Sequence, residues 1–160
     1  MYGSEADRIA RERRRQNEES IRRQQIEAAN RAAIRRVSEY REIVKLIPNV
    51  LRLLKASGYP DMVDLEVDER VLLLGPFSPI RRRIRAAWKI GQYDVPFYES
   101  TRTGTLYLTS KGQICNDAGG VISLRYLQAP SYNGISQMVR ETILYGLHAL
   151  RDTLEAKLNK

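Results

Sequence analysis

The chain has 160 residues, 42% hydrophobic and 29% charged, with 27 Lys plus Arg against 19 Asp plus Glu and a formal net charge of +8. That length fits one domain with an extension, and its apolar share can fill a core without disulfides or metals. Its single cysteine, Cys115, excludes an internal disulfide and a cysteine-built zinc site, and no apolar run approaches the ~18 residues that span a bilayer.

The opening segment carries charge where a secretory signal carries an apolar stretch, so the expected location is cytoplasmic. Residues 1–46 hold 12 basic and 8 acidic side chains, whereas 93–160 hold 7 and 6. The basic excess therefore lies toward the N-terminus, which raises nucleic acid, anionic lipid and acidic proteins as partner classes.

Residues 1–47 contain no proline and only Gly3, and are crowded with Arg, Glu, Gln and Ala. Ser4 with Asp7 reads as a capping box, and Glu5 suits the positive first turn. Acid-to-base pairs at i,i+4 (Asp7 with Arg11, Glu18 with Arg22, Glu19 with Arg23, Glu27 with Arg31) each add ~0.2–0.5 kcal/mol to an isolated helix. Ala33, Val37, Tyr40, Val44, Ile47, Leu51 and Leu54 fall at alternating spacings of 4 and 3, the a/d seam of a coiled coil. The same register extended backwards meets mostly polar residues: Asn30, Arg23, Glu19, Gln16 and Glu12. Pro48 predicts a kink or break, and Ser57-Gly58 with Pro60 beyond predicts the helix end.

Val63, Leu65 and Val67 alternate with Asp64, Glu66 and Asp68, the pattern of a half-buried strand. Val71–Leu74 suggests a further strand before Gly75-Pro76. The next stretch admits two readings. Ile84, Ala86, Trp88 and Ile90 alternate with Arg83, Arg85, Ala87 and Lys89 as in a strand, the preferred reading. A helix capped at Ser78-Pro79 and stopped at Gly91 would set Arg81, Arg82 and Arg83 against its own dipole. Glu99–Gly104 reads as a polar connection, and Thr105–Thr109 with Gln113–Asn116 as a hairpin around Ser110-Lys111-Gly112. Val121–Leu127 would complete the meander. The last helix is expected from about Asn133 to Leu158, with Ile135, Met138 or Val139, Ile143, Leu147, Leu150, Leu154 and Leu158 inward.

The expected fold is α+β: a long N-terminal helix, a small antiparallel sheet of three to five strands, and a C-terminal helix packed on the sheet. Residues 1–57 form an extended helical region, with a polar arm over 1–30 and a packed seam over 33–54. Residues 58–160 form a small α+β domain ending in helix 133–158.

Arg81, Arg82, Arg83, Arg85 and Lys89, near Tyr93, Phe97, Tyr98, Tyr107 and Tyr126, offer cations and aromatics for nucleic acid. The competing account sets Arg81, Arg83 and Arg85 across from Asp64, Glu66 and Asp68 on a neighbouring strand, where opposite charges stabilise by ~0.2–1 kcal/mol per pair. His148 stands alone with no second metal-binding histidine and no nucleophile motif, so it reads as structural. Cys115, beside Ile114 in a strand, reads as a small packed side chain. Asp61–Glu69 lacks the spacing of a calcium loop, and the glycines form no phosphate cradle.

No catalytic residue, metal ligand or cofactor is expected. The leading expectation is a non-enzymatic interaction or assembly protein, associating with itself or a protein partner through the N-terminal helix. A nucleic-acid binder using Arg81–Lys89 is the alternative. The third reading is a small-ligand domain or enzyme with a pocket near His148, Glu99 and Arg102.

Overall fold

The computed structural model describes residues 5–70, 79–129 and 135–160, with the side chains of 68–70, 79–85 and 97 outside the description. The elements are α1 (Glu5–Ala56), β1 (Val63–Arg70), β2 (Pro79–Phe97), β3 (Ser100–Thr109), β4 (Ile114–Asn116), a 3-10 turn over Tyr126–Gln128 and α2 (Ile135–Leu158). The mixed α+β class follows as the sequence predicts. The expected capping box at Ser4, the strand over Val71–Leu74 and the helix start at Asn133 lie outside the described residues.

The chain divides into two compact units, Met1–Arg36 and Val37–Lys160. In the first, α1 begins with Glu5 and Asp7 in its first turn, where carboxylates favour the positive end of the helix dipole. Arg8 pairs with Glu5 at 3.7 Å, and Arg11 Nε donates to the Asp7 carbonyl at 3.2 Å. Every side chain from Glu5 to Arg36 is exposed except the half-buried Ala33 and Arg36. A helix polar on all sides draws its stability from backbone propensity and charge pairs rather than from a core.

The second unit has a core. Along the rest of α1 the buried residues are Glu39, Ile43, Leu46, Ile47, Val50 and Leu54. This stripe is not the expected seam. Only Ile47 and Leu54 belong to both; Tyr40 and Leu51 are half-buried, and Val37 and Val44 stay 45% and 42% exposed. Ile43, Leu46 and Val50 form a second apolar row about one residue earlier, and the domain uses that row.

Of the kink or break that Pro48 predicts, the break does not occur: helix α1 runs continuously through that residue. Proline removes the bond to the Val44 carbonyl. Both residues lie on the exposed side, so water can satisfy that carbonyl. The end of α1 follows the sequence closely. Tyr59 N donates to Leu54 O and Gly58 N to Lys55 O, with Gly58 at φ 72, which together make a Schellman cap.

The sheet is wholly antiparallel in the order β1-β2-β3-β4. Trp88, Ile90, Leu106, Leu108 and Ile114 pack against the α1 stripe and against Val139, Ile143, Leu147 and Leu154 of α2. Helix α2 meets β2 very closely. A Cβ on Gly146 would overlap the Ile90 carbonyl oxygen, and one on Gly91 would come within 2.5 Å of Thr142 Cγ2. The β2–β3 register shifts between Lys89 and Gly91, so the bulge bends β2 where the helix crosses it. Val139, Ile143, Leu147 and Leu154 face inward as expected, and Leu150 is half-buried, whereas Leu158 is 43% exposed in the last turn.

The outer strands approach one another on the face away from the helices. Val67 of β1 and Cys115 of β4 form a small second core with Leu65 beside it. Gly119, at φ 86 in the turn after β4, lies so close to β1 that a Cβ would overlap the Glu66 carbonyl oxygen. The four strands therefore curl toward closure, burying part of both sheet faces.

Two further expectations need correction. Glu99–Gly104 is not a loop: β2 reaches Phe97, Tyr98 and Glu99 make a two-residue turn, and β3 starts at Ser100 opposite Phe97. Val121–Leu127 is not a strand. It makes one bridge, Cys115 to Val121, then enters the 3-10 turn that buries Leu127. The hydrogen bond from Ile122 N to Ile114 O closes that bridge, and Ile122 and Leu124 turn inward to the main core instead of extending the sheet.

Candidate functional site

The helix seam is the first candidate. Ala33, Val37, Tyr40 and Val44 keep a/d spacing on α1, with Val37 and Val44 on the side the domain core leaves open. Exposed Ile34 (71%) and Ile26 (53%) continue apolar character toward the N-terminus. Leu51 is partly covered by the β3–β4 hairpin, because a Cβ on Gly112 would come within 3.2 Å of Leu51 Cδ1. Ile47 and Leu54 are consumed by the core. Of the expected seven-residue seam, Ile47 and Leu54 are buried, Ala33, Tyr40 and Leu51 are half-buried, and Val37 and Val44 are exposed.

Arg81, Arg82, Arg83, Arg85 and Lys89 all fall in β2, so the strand reading of this stretch holds. The register sets Arg83 opposite Glu66, Arg81 opposite Asp68 and Arg82 opposite Val67. That sets two of the three expected opposite-charge pairs at facing positions of the antiparallel ladder. Asp64 lies in the irregularity between Val63 and Leu65, where the register shifts. Lys89 is exposed beyond the ladder's charged section, opposite Tyr107.

Between α1 and α2 the structure builds a polar contact that the sequence pattern did not reveal. Arg140 Nε donates to Glu39 Oε2 at 2.6 Å, with both side chains at least nine-tenths covered. Arg140 also donates through Nη1 to the Leu127 carbonyl at 3.0 Å, tying the 3-10 turn to the helix pair. Breaking a buried pair from one side leaves an uncompensated charge and costs about 3–5 kcal/mol. Its chemistry is that of a positioning lock on helix register.

Further along, His148 Nε2 meets Glu42 Oε1 at 2.6 Å, with the His148 side chain 32% exposed. His148 thereby has a structural partner on α1. Glu99 and Arg102 lie instead on the exposed β2–β3 hairpin.

Cys115 is fully buried, and burial pushes its thiol up from an ordinary 9.0 to about 11. A thiol held protonated in an apolar setting is a poor nucleophile. The Tyr93 phenol is also raised, first by burial, then by the neighbouring charges of Asp117 and Tyr126, while Arg102 acts in the opposite direction. Its ring fills the space over Gly104, the facing residue on β3, where a Cβ would come within 2.7 Å of the ring.

Among the described residues no group of three or more His, Cys, Asp or Glu side chains could hold a metal ion, and no helix is long and apolar enough to cross a membrane. Comparison with protein-family models, with curated proteins and with solved structures finds no match.

Proposed function

We propose that the protein is a non-enzymatic assembly or interaction protein that pairs a second helix against α1 through Ala33, Val37, Tyr40 and Val44. One observation supports this above the others: Val37 and Val44 sit in a heptad register yet remain 45% and 42% exposed, while the domain fills its core from the neighbouring row. Two β-branched residues one heptad apart suit the a positions of a two-stranded coil, with Ala33 and Tyr40 at d. The Arg-rich segment before them favours an acidic partner surface and accelerates encounter at low salt.

Light scattering on the full chain and on the double variant Val37→Glu/Val44→Glu tests the proposal. The wild type should show a mass above that of one chain, and the variant should be a folded monomer whose melting temperature does not depend on protein concentration. If the wild type is instead monomeric, partner capture should be lost on the same double substitution. A strictly monomeric wild type whose partner interactions ignore both the substitutions and removal of residues 1–30 overturns the proposal.

A further inference from the structure

A small cleft of about 200 Å³ opens at the far end of α2, walled by Pro60, Val63, Trp88, Leu150 and Leu154. Its construction is unusual in three respects. The chain leaving the Schellman cap turns through two non-glycine residues in the left-handed region, Tyr59 at φ 55 and Asp61 at φ 54. Such conformations are unfavourable for residues with a Cβ and persist only where the surroundings enforce them. Here Trp88 does so: its indole Nε1 donates to the Pro60 carbonyl at 2.7 Å, and the Tyr59 ring stacks on it at 5.6 Å between centroids.

The second respect is charge. The apolar walls are bordered by Lys89 and Lys157, with Asp61 as the one carboxylate. Lys157 reaches Asp61 at 3.4 Å, and the Lys89 ammonium makes no hydrogen bond or ion pair among the described residues. One positive charge at the rim is therefore left over. The third is size: the volume matches roughly seven water molecules, enough for one aromatic ring with a short substituent.

We infer that this cleft binds a small aromatic carboxylic acid, with the ring against Pro60, Val63 and Leu150 at the edge of the Trp88 indole and the carboxylate at Lys89 and Lys157. An apolar slot with a few convergent polar groups is the usual form of a small-molecule site. The pairing of one surplus cation with a one-ring slot selects a monoanion over a neutral or polyanionic ligand. This site is independent of the helix-pairing surface and takes a different class of partner.

Trp88 is the only tryptophan in the chain, so its emission reports on the cleft directly. Titration of the full chain with phenylacetate should give a saturable change in Trp88 fluorescence with a dissociation constant near about 1 mM, in keeping with the ligand's few heavy atoms. Thr153→Phe, which narrows the mouth from an exposed helix position, should abolish the change. Lys89→Ala/Lys157→Ala should weaken phenylacetate about fivefold while leaving benzyl alcohol, the uncharged analogue, unaffected. The absence of a saturable signal overturns the inference, as does equal binding by the double lysine variant. If Thr153→Phe fails to fold, the lysine comparison alone decides.

Discussion

At the scale of single residues, the buried groups here are specified by what they exclude. Cys115 of β4 is sealed against Val67 and Leu65 of β1, so its proton is harder to remove in the folded protein than in the unfolded chain. The thiol's folded value of about 11 lies above the ordinary 9.0. Between those values the folded state holds more protons than the unfolded one, so stability falls as pH rises. The contribution is fully present below pH 9 and is lost as pH passes through about 11, amounting to about 2–3 kcal/mol. Urea denaturation of wild type and Cys115→Ala across this window should show a steeper alkaline loss for the wild type. Parallel curves would show that the thiol is not held neutral. Tyr93, also raised, steepens the same limb in both proteins and leaves their difference intact. Glu39 and Arg140 form a buried polar contact that single residues do not announce. Charged side chains are read as exposed by default, and nothing local links two residues 101 positions apart.

At the scale of elements, the meeting of α2 with β2 is set by absent side chains. Gly146 lets the helix approach until its backbone lies against the Ile90 carbonyl. Gly146→Ala gains about 1 kcal/mol of helix propensity, yet it places a methyl where a backbone oxygen already sits. Backbone cannot yield as a flexible side chain does, so α2 must lift and loosen Ile143 and Leu147 from the core. The expected net loss is about 1–3 kcal/mol, read as a lower urea midpoint. A gain in stability would mean that the helix sits farther from the sheet. The elements themselves were largely legible. Periodicity gave α2 and the strand character of Val63–Val67, and the Ser57-Gly58 signal gave the end of α1. The β2–β3 turn was not legible, because Tyr98 takes φ 52 without the Gly or Asn that marks a two-residue hairpin. Sheet curl was not either, since the contacts of Val67 with Cys115 and of Gly119 with Glu66 join strands distant in sequence. The row that fills the core was not legible for a subtler reason: residues 37–54 carry two adjacent apolar rows, and spacing alone does not say which one a domain will take. Of the small cleft, only the sole tryptophan could have been marked in advance.

At the scale of the whole molecule, the two units differ in what holds them in shape, and that difference should be visible on heating. Val37–Lys160 should melt as a cooperative unit because its helices and sheet share one core. Glu5–Arg36 buries no large side chain, and isolated helices are marginal in water even with good propensity. Far-UV circular dichroism of the full chain should therefore lose ellipticity gradually before Trp88 fluorescence reports the core transition. Added salt screens the exposed pairs, such as Arg8 with Glu5, and should move that early loss to lower temperature while changing the core transition little. A fragment starting at Val37 should lack the early phase and keep the later one. Coincident loss of both signals in the full chain would mean that the polar half of α1 is held by contacts beyond its own charge pairs. The helix would then melt only when those contacts break, and light scattering at the same temperatures would show whether a second chain supplies them.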